Sequence, residues 1–197
     1  MNRLSIFIFF YILVCLIGSQ VSLIPQVSLG MLGAYLAGLI LSPAVGGFVG
    51  LLGAFAIGYW QGFPLSVAGH WIVALSVACA AYYFALLYRE EGAPAWKRYG
   101  LSLVMGYACQ VGMSVFLLWC FIGDEALVLW LPWSISAVLS MVVAMAIEYG
   151  WPQSLRHYLG APRAAVKPEG RYRNRKRRAR ANALAKKRGE DTDSSPE

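Results

Sequence analysis

LSIFIFFYILVCLIGSQVSLIPQVSLGMLGAYLAGLILSPAVGGFVGLLGAFAIGYWQGFPLSVAGHWIVALSVACAAYYFALLY, residues 4–88, contains no Asp, Glu, Lys or Arg. Roughly a quarter of the residues of a soluble domain are charged, and a surface without charge does not stay dispersed in water. A helix that crosses a bilayer needs about 20 apolar residues, so this stretch has room for about four. Working outward, Pro, Gly and charged residues cut the chain into six apolar segments. They cover about 4–24, ending near Pro25, about 28–42, ending at Ser42-Pro43, and about 44–60, ending in Trp60-Gln61-Gly62-Phe63-Pro64. The others cover about 66–88, stopped by Arg89-Glu90-Glu91, about 99–122, after Lys97-Arg98, and about 126–148, ending at Glu148-Tyr149-Gly150. Pro43 could instead kink one bent element spanning the second and third segments. The expected fold is all-α: a polytopic six-transmembrane-helix bundle in residues 1–152, followed by a disordered or partly helical basic tail, 153–197.

The composition agrees, with 58% hydrophobic residues against about 45–50% in soluble domains. The net charge of +7 suggests a nucleic-acid binder until it is located. Residues 1–162 carry five basic and five acidic groups, whereas residues 163–197 carry twelve basic and five acidic ones, which is the whole excess. The tail runs RYRNRKRRARANALAKKRGEDTDSSPE from Arg171, with Tyr172 as its only aromatic residue. Single-stranded nucleic acid is usually gripped by interleaved aromatics, so nucleic acid is not the expected partner. A topogenic tail leaning on anionic lipid is the simplest reading, with a protein partner as the alternative.

Lys and Arg in short loops set orientation. With a cytoplasmic N-terminus, the inner stretches are 1–3, 42–44, 89–98 and everything after 149, and they hold every Lys and Arg. The outer loops, near 25–27, 61–65 and 123–125, hold none, and the last carries Asp124 and Glu125. The expected location is the bacterial cytoplasmic membrane, multi-pass, with both termini inside. The N-terminal MNRLSIFIFFYILVCLIGS has the charged and apolar regions of a signal peptide but no clear small-x-small cleavage site, so a retained first helix is expected.

Cys15, Cys79, Cys109 and Cys120 all lie in apolar runs without a CxxC or Cys/His cluster, so no structural zinc site is expected. Gly33-Ala37, Ala34-Gly38, Gly46-Gly50, Gly50-Ala54 and Ala54-Gly58 stand four apart. Small residues at that spacing share a helix face and let backbones pack closely, with or without a ligand. There is no GxxxxGK[ST], HExxH or GxSxG motif. Glu90-Glu91 sits among Arg89, Lys97 and Arg98, where surface pairing explains it, so the chain is not read as an enzyme and no cofactor is expected.

Residues 28–83 add a resemblance. A short apolar helix is followed by Pro43 and the spaced Gly46, Gly47, Gly50 and Gly53, then by the loop Gly62-Phe63-Pro64 and a helix opening His70-Trp71-Ile72-Val73-Ala74. Over residues 1–150 this resembles the substrate-binding S-components of energy-coupling-factor (ECF) vitamin transporters. The resemblance implies a six-helix bundle that holds a vitamin or related micronutrient near its outer face. It also implies toppling in the membrane on a shared coupling subunit served by two ATPases. The chain departs from the family in its first helix. IFIFFYILVCLIGS has bulky residues where many members carry an Ala-x-x-x-Ala docking pair, and some members act without a dedicated module.

Candidate ligand contacts follow from polar and aromatic residues in or near the outer half. His70 is the only ionisable side chain between Arg3 and Arg89 apart from tyrosine and cysteine. It lies ~7–8 Å below the outer boundary, where interfacial placement, ligand contact and an interhelical hydrogen bond compete. Trp60, Gln61, Phe63 and Trp71 surround the same turn, and Trp130 and Trp133 open the sixth segment; each Trp could equally belong to an aromatic belt. Tyr107 and Gln110 share a face of the fifth segment, and a buried amide needs partners. In the solitary cobalamin-type members that the resemblance suggests, a membrane thiolate ligates cobalt, so Cys79 is a candidate cobalt ligand if the substrate is cobalamin. A packed thiol is the alternative. Expected partners are a vitamin-like small molecule, the lipid bilayer and an ECF coupling subunit with its ATPases. The competing reading is a non-transporting scaffold acting through its basic tail.

Overall fold

The computed structural model describes residues 3–24, 27–90 and 94–150. The chain divides into two compact units, 1–161 and 162–197, and the described residues all belong to the first. The expected basic tail, 153–197, lies outside the described residues.

The described residues are mostly helical. In order they form α1 (Arg3–Gln20), the strands β1 (Ser22–Ile24) and β2 (Val27–Ser28), α2 (Leu32–Ile40), α3 (Pro43–Trp60) and α4 (Ser66–Tyr88). The long helix α5 (Lys97–Ile122), one turn α6 (Glu125–Val128) and α7 (Trp130–Gly150) follow. Four of these, α3, α4, α5 and α7, are long and apolar enough to cross a membrane. The chain is therefore compatible with a multi-pass membrane protein.

Three of the six expected spans come out differently. The segment read as 4–24 is helical only to Gln20, and the chain then turns into an antiparallel hairpin pairing Ser22 with Ser28 and Ile24 with Val27. The segment read as 28–42 holds the nine-residue α2, about 14 Å long against a hydrocarbon core of about 30 Å. The turn is built on Gly18, whose carbonyl accepts from Val21 N at 3.2 Å and from Leu29 N at 3.1 Å. A Cβ on Gly18 would strike the Leu29 carbonyl, so only glycine lets the returning strand lie this close. The sixth expected span is likewise divided, into α6 and α7.

α2 is the axis of the bundle. All but its first residue are buried, and it touches α1, α3, α4 and α7. The Ser42-Pro43 break is a helix start: Ser42 Oγ accepts from Val45 N at 3.2 Å, and Pro43 takes the first turn, where its missing N–H costs nothing. The small-residue face of α3 packs as the spacing suggests. Gly46 faces Gly38 of α2, and Cβ atoms built on Gly47 and Gly50 would lie 3.1 and 3.2 Å from the Ala78 and Val77 carbonyls of α4. α3 ends in a Schellman motif, with Phe63 N donating to Gly58 O at 2.7 Å and Gly62 at φ 75°.

At the end where α4 stops and α5 begins, polar groups tie four helices together. Tyr88 Oη donates to Glu148 Oε2 at 2.8 Å, Arg98 Nε to the Tyr88 carbonyl at 2.9 Å, and Arg89 Nη1 to the Leu41 carbonyl at 3.2 Å. Burial lowers the Arg89 pKa, and the neighbouring Glu148 carboxylate opposes that shift. Lys97 and Glu90, 3.9 Å apart and exposed, add little. Glu148→Leu leaves the buried Tyr88 hydroxyl without this acceptor and Arg89 without its countercharge. A loss of about 1–3 kcal/mol is expected, read as a lower melting temperature in detergent. An unchanged melting temperature would show that the cluster does not hold the helix ends.

Candidate functional site

A cavity of about 500 Å³ opens between the second half of α3, the first half of α4, the middle of α5 and the first half of α7. Its size is that of ordinary small-molecule sites. It lies toward the end of the bundle that carries loops 61–65 and 123–125, which share one end because Gly69 packs near Leu118. Ser28 and Gly30–Met31 close one side, so the non-helical segment between α1 and α2 forms part of its wall. Irregular backbone at membrane depth persists where it is buried in protein or lines a cavity, since hydrocarbon offers it no hydrogen bonds. Here Ser28 N donates to Ser136 Oγ of α7 at 3.1 Å.

The wall carries a second irregularity, the π-helical turn Ala108–Met113 inside α5. Such turns are frequent at functional sites. Gln110 sits in it and lines the cavity. Tyr35 Oη of α2 donates to Gln110 Oε1, which commits the carbonyl half of the amide and leaves its NH₂ without a partner among the described residues.

His70 is 7% exposed and lines the cavity from α4. Its Nδ1 lies 2.9 Å from the Ser66 carbonyl, which can only accept, so Nδ1 carries the proton. In the neutral ring Nε2 is then an acceptor. The ring is wedged on both sides. A Cβ on Gly58 would strike it, and the Phe63 ring meets it edge-on with centroids 5.1 Å apart. Phe63 (φ 51°) and Ser66 (φ 64°) both adopt left-handed backbone, which costs a non-glycine residue of order 1–3 kcal/mol. The strained turn thus places both the Phe63 ring that flanks His70 and the Ser66 carbonyl that fixes its tautomer.

Of the ten residues expected to contact a ligand, Gln61, His70, Gln110 and Trp133 line the cavity. Phe63 stands one contact behind, against His70. Trp60 (71% exposed) and Trp71 (50% exposed) face outward, where a lipid belt is the fitting role. Tyr107 and Trp130 are engaged in a closed ring. Trp130 Nε1 donates to Tyr107 Oη at 3.0 Å, Tyr107 Oη to Ser134 Oγ at 2.9 Å, and Ser134 Oγ to the Trp130 carbonyl at 2.6 Å. They brace α5 against α7. Cys79 is half-buried on α4 but not on the cavity wall, so a bound molecule there would not meet its sulfur.

Two serines outside the expected set also lie on the wall. Ser114 and Ser140 are 1% exposed, line the cavity, and have hydroxyls with no partner among the described residues. Their signal was present: Gln110 and Ser114 stand four apart on α5, as do Ser136 and Ser140 on α7, and each pair shares a face. Removing an orphan hydroxyl from an apolar site is neutral or stabilising, whereas removing a ligand contact weakens binding. The Ser114→Ala/Ser140→Ala protein is therefore expected to melt at or above the native temperature when empty and to bind the ligand recovered from the native protein about tenfold or more weakly. A lower melting temperature would assign the hydroxyls to the fold instead.

A scan against protein-family models and searches of curated proteins and solved structures find no match for this chain.

Proposed function

We propose that this chain is a membrane-embedded substrate-binding subunit for uptake of a vitamin or related micronutrient, similar to the S-components of ECF transporters. The observation that carries the reading is the cavity, lined by four helices and the segment between α1 and α2, with two buried hydroxyls and an amide NH₂ on its wall that have no partner among the described residues. Buried polar groups are nearly always hydrogen-bonded, so groups left free around a space of this size suit a bound molecule. In this reading α1, α2, α3, α4, α5 and α7 are the six helices of the bundle. The N-terminus and the basic tail are cytoplasmic in a bacterial membrane, and the cavity opens toward the outer face. ATP hydrolysis would belong to a partner. Docking through an Ala-x-x-x-Ala pair has no support in α1, whose exposed residues include Leu4, Ile6, Phe9, Phe10, Leu13 and Ile17.

The test is ligand recovery. The full chain, purified in mild detergent, is denatured and its small molecules are identified by mass spectrometry, with a panel of a dozen vitamins screened by thermal shift in parallel. One ligand per chain, lost in the Gln110→Leu protein, is expected. No ligand by either route, with membrane or cytoskeletal proteins captured through residues 163–197, would favour the scaffold reading and overturn this one.

A further inference from the structure

We infer that the cavity takes an electrically neutral small molecule, bearing at least one N–H or O–H donor and at least one carbonyl-type acceptor, and that it discriminates against anions. This rests on the binding role proposed above and narrows it. Among the described residues, no lining residue is an Asp, Glu, Lys or Arg, and the only titratable one is His70. The charged groups of the described chain are gathered at its two ends. Arg89, Lys97, Arg98 and Glu148 lie at the end away from the cavity, and Asp124 and Glu125 in the turn between α5 and α7, off the cavity wall. Asp124 accepts from Trp119 Nε1 at 3.1 Å and is exposed.

A charged ligand in this space would give up its hydration without a countercharge, which is the unfavourable way to bury an ion. An anion finds no Lys or Arg on the wall, and a cation finds no carboxylate there. A neutral polar molecule meets no such penalty. The wall offers it a matched set: the His70 Nε2 lone pair asks for a donor, the Gln110 NH₂ asks for an acceptor, and the Ser114 and Ser140 hydroxyls can serve as either. A lactam, an amide or a ureido ring presents both functions on adjacent atoms. The Ile57, Val73, Val77 and Trp133 side chains cover the apolar remainder.

Two measurements test this. The ligand released from the purified full chain is identified, and its formal charge at pH 7 is read from its structure. Binding is also measured by thermal shift and calorimetry for pairs that differ by one group's charge: nicotinamide and nicotinate, riboflavin and its phosphate, pyridoxine and its phosphate, biotin amide and biotin. A neutral released ligand is expected, and in any pair that binds, the neutral member binds at least tenfold tighter. A released ligand with a net charge, or a charged member binding as well as its neutral counterpart, overturns the inference while leaving the binding role standing. A protein that releases nothing and responds to no probe removes the binding role, and this inference with it.

Discussion

Gly46→Ala is expected to destabilise the protein by about 3 kcal/mol, the upper part of the usual range for overpacked sites, and Gly46→Leu to leave no monodisperse protein in detergent. A Cβ at this position would lie 2.5 Å from the Gly38 Cα, 2.8 Å from its nitrogen and 3.1 Å from the Ala34 carbonyl. All three are backbone atoms of α2, so no rotamer change relieves the clash, and α2 and α3 must move apart. α2 also touches α1, α4 and α7, so the displacement spreads through the bundle. Dispersion between close backbones is a main source of helix association where the solvent is itself apolar, and a wider gap forfeits it steeply. Gly100→Ala in α5 is the matched control. A Cβ there meets nothing within 4 Å, and alanine should be neutral or improve stability by up to about 1 kcal/mol through helix propensity. The check is the melting temperature of both variants in one detergent. If Gly46→Ala and Gly100→Ala behave alike, the α2–α3 contact is not what holds the bundle.

His70→Phe is expected to cut affinity for the recovered ligand by about 10- to 100-fold while leaving the empty protein's melting temperature within a few degrees. Phenylalanine keeps a ring between Gly58 and Phe63 but removes the Nε2 acceptor. The donor on the ligand is then buried without a partner, and it is the unmade bond that costs most. Gly58→Ala should reach a similar loss by another route, because its methyl displaces the imidazole while leaving the nitrogen chemically intact. The affinity of both proteins, measured by calorimetry with the same ligand, decides the matter. Native-like binding by His70→Phe would return His70 to a purely structural role.

Much of this architecture was legible along the chain. α3 and α4 begin and end within a residue of the expected 44–60 and 66–88, because Ser42-Pro43, the Gly62 turn and Arg89-Glu90 stop helices by local chemistry. The tight α2–α3–α4 contact followed from glycines four apart. The segment between α1 and α2 was legible only as a break near Pro25. The early end of α1 and the antiparallel pairing were not, because they rest on the fit of Leu29 against Gly18, a contact between positions eleven residues apart. The cavity wall was half legible. Gln61, His70, Gln110 and Trp133 stand out as polar or aromatic groups in apolar surroundings. Tyr107 and Trp130 look the same in sequence, yet their polar atoms are already engaged with Ser134 and with each other.

The division has one physical cause. Whether a segment enters a membrane is a sum of transfer free energies over its own residues, so the uncharged run 4–88 determined the class of fold without reference to any partner. The inward face of such a helix is a different question. Lipid is as apolar as a protein core, so a spanning helix is hydrophobic all round and carries no polar stripe to mark its outer side. Only packing decided that Ser114 and Ser140 face a cavity while Trp60 and Trp71 face outward, and that choice is what puts polar groups on the wall of a cavity in an apolar bundle.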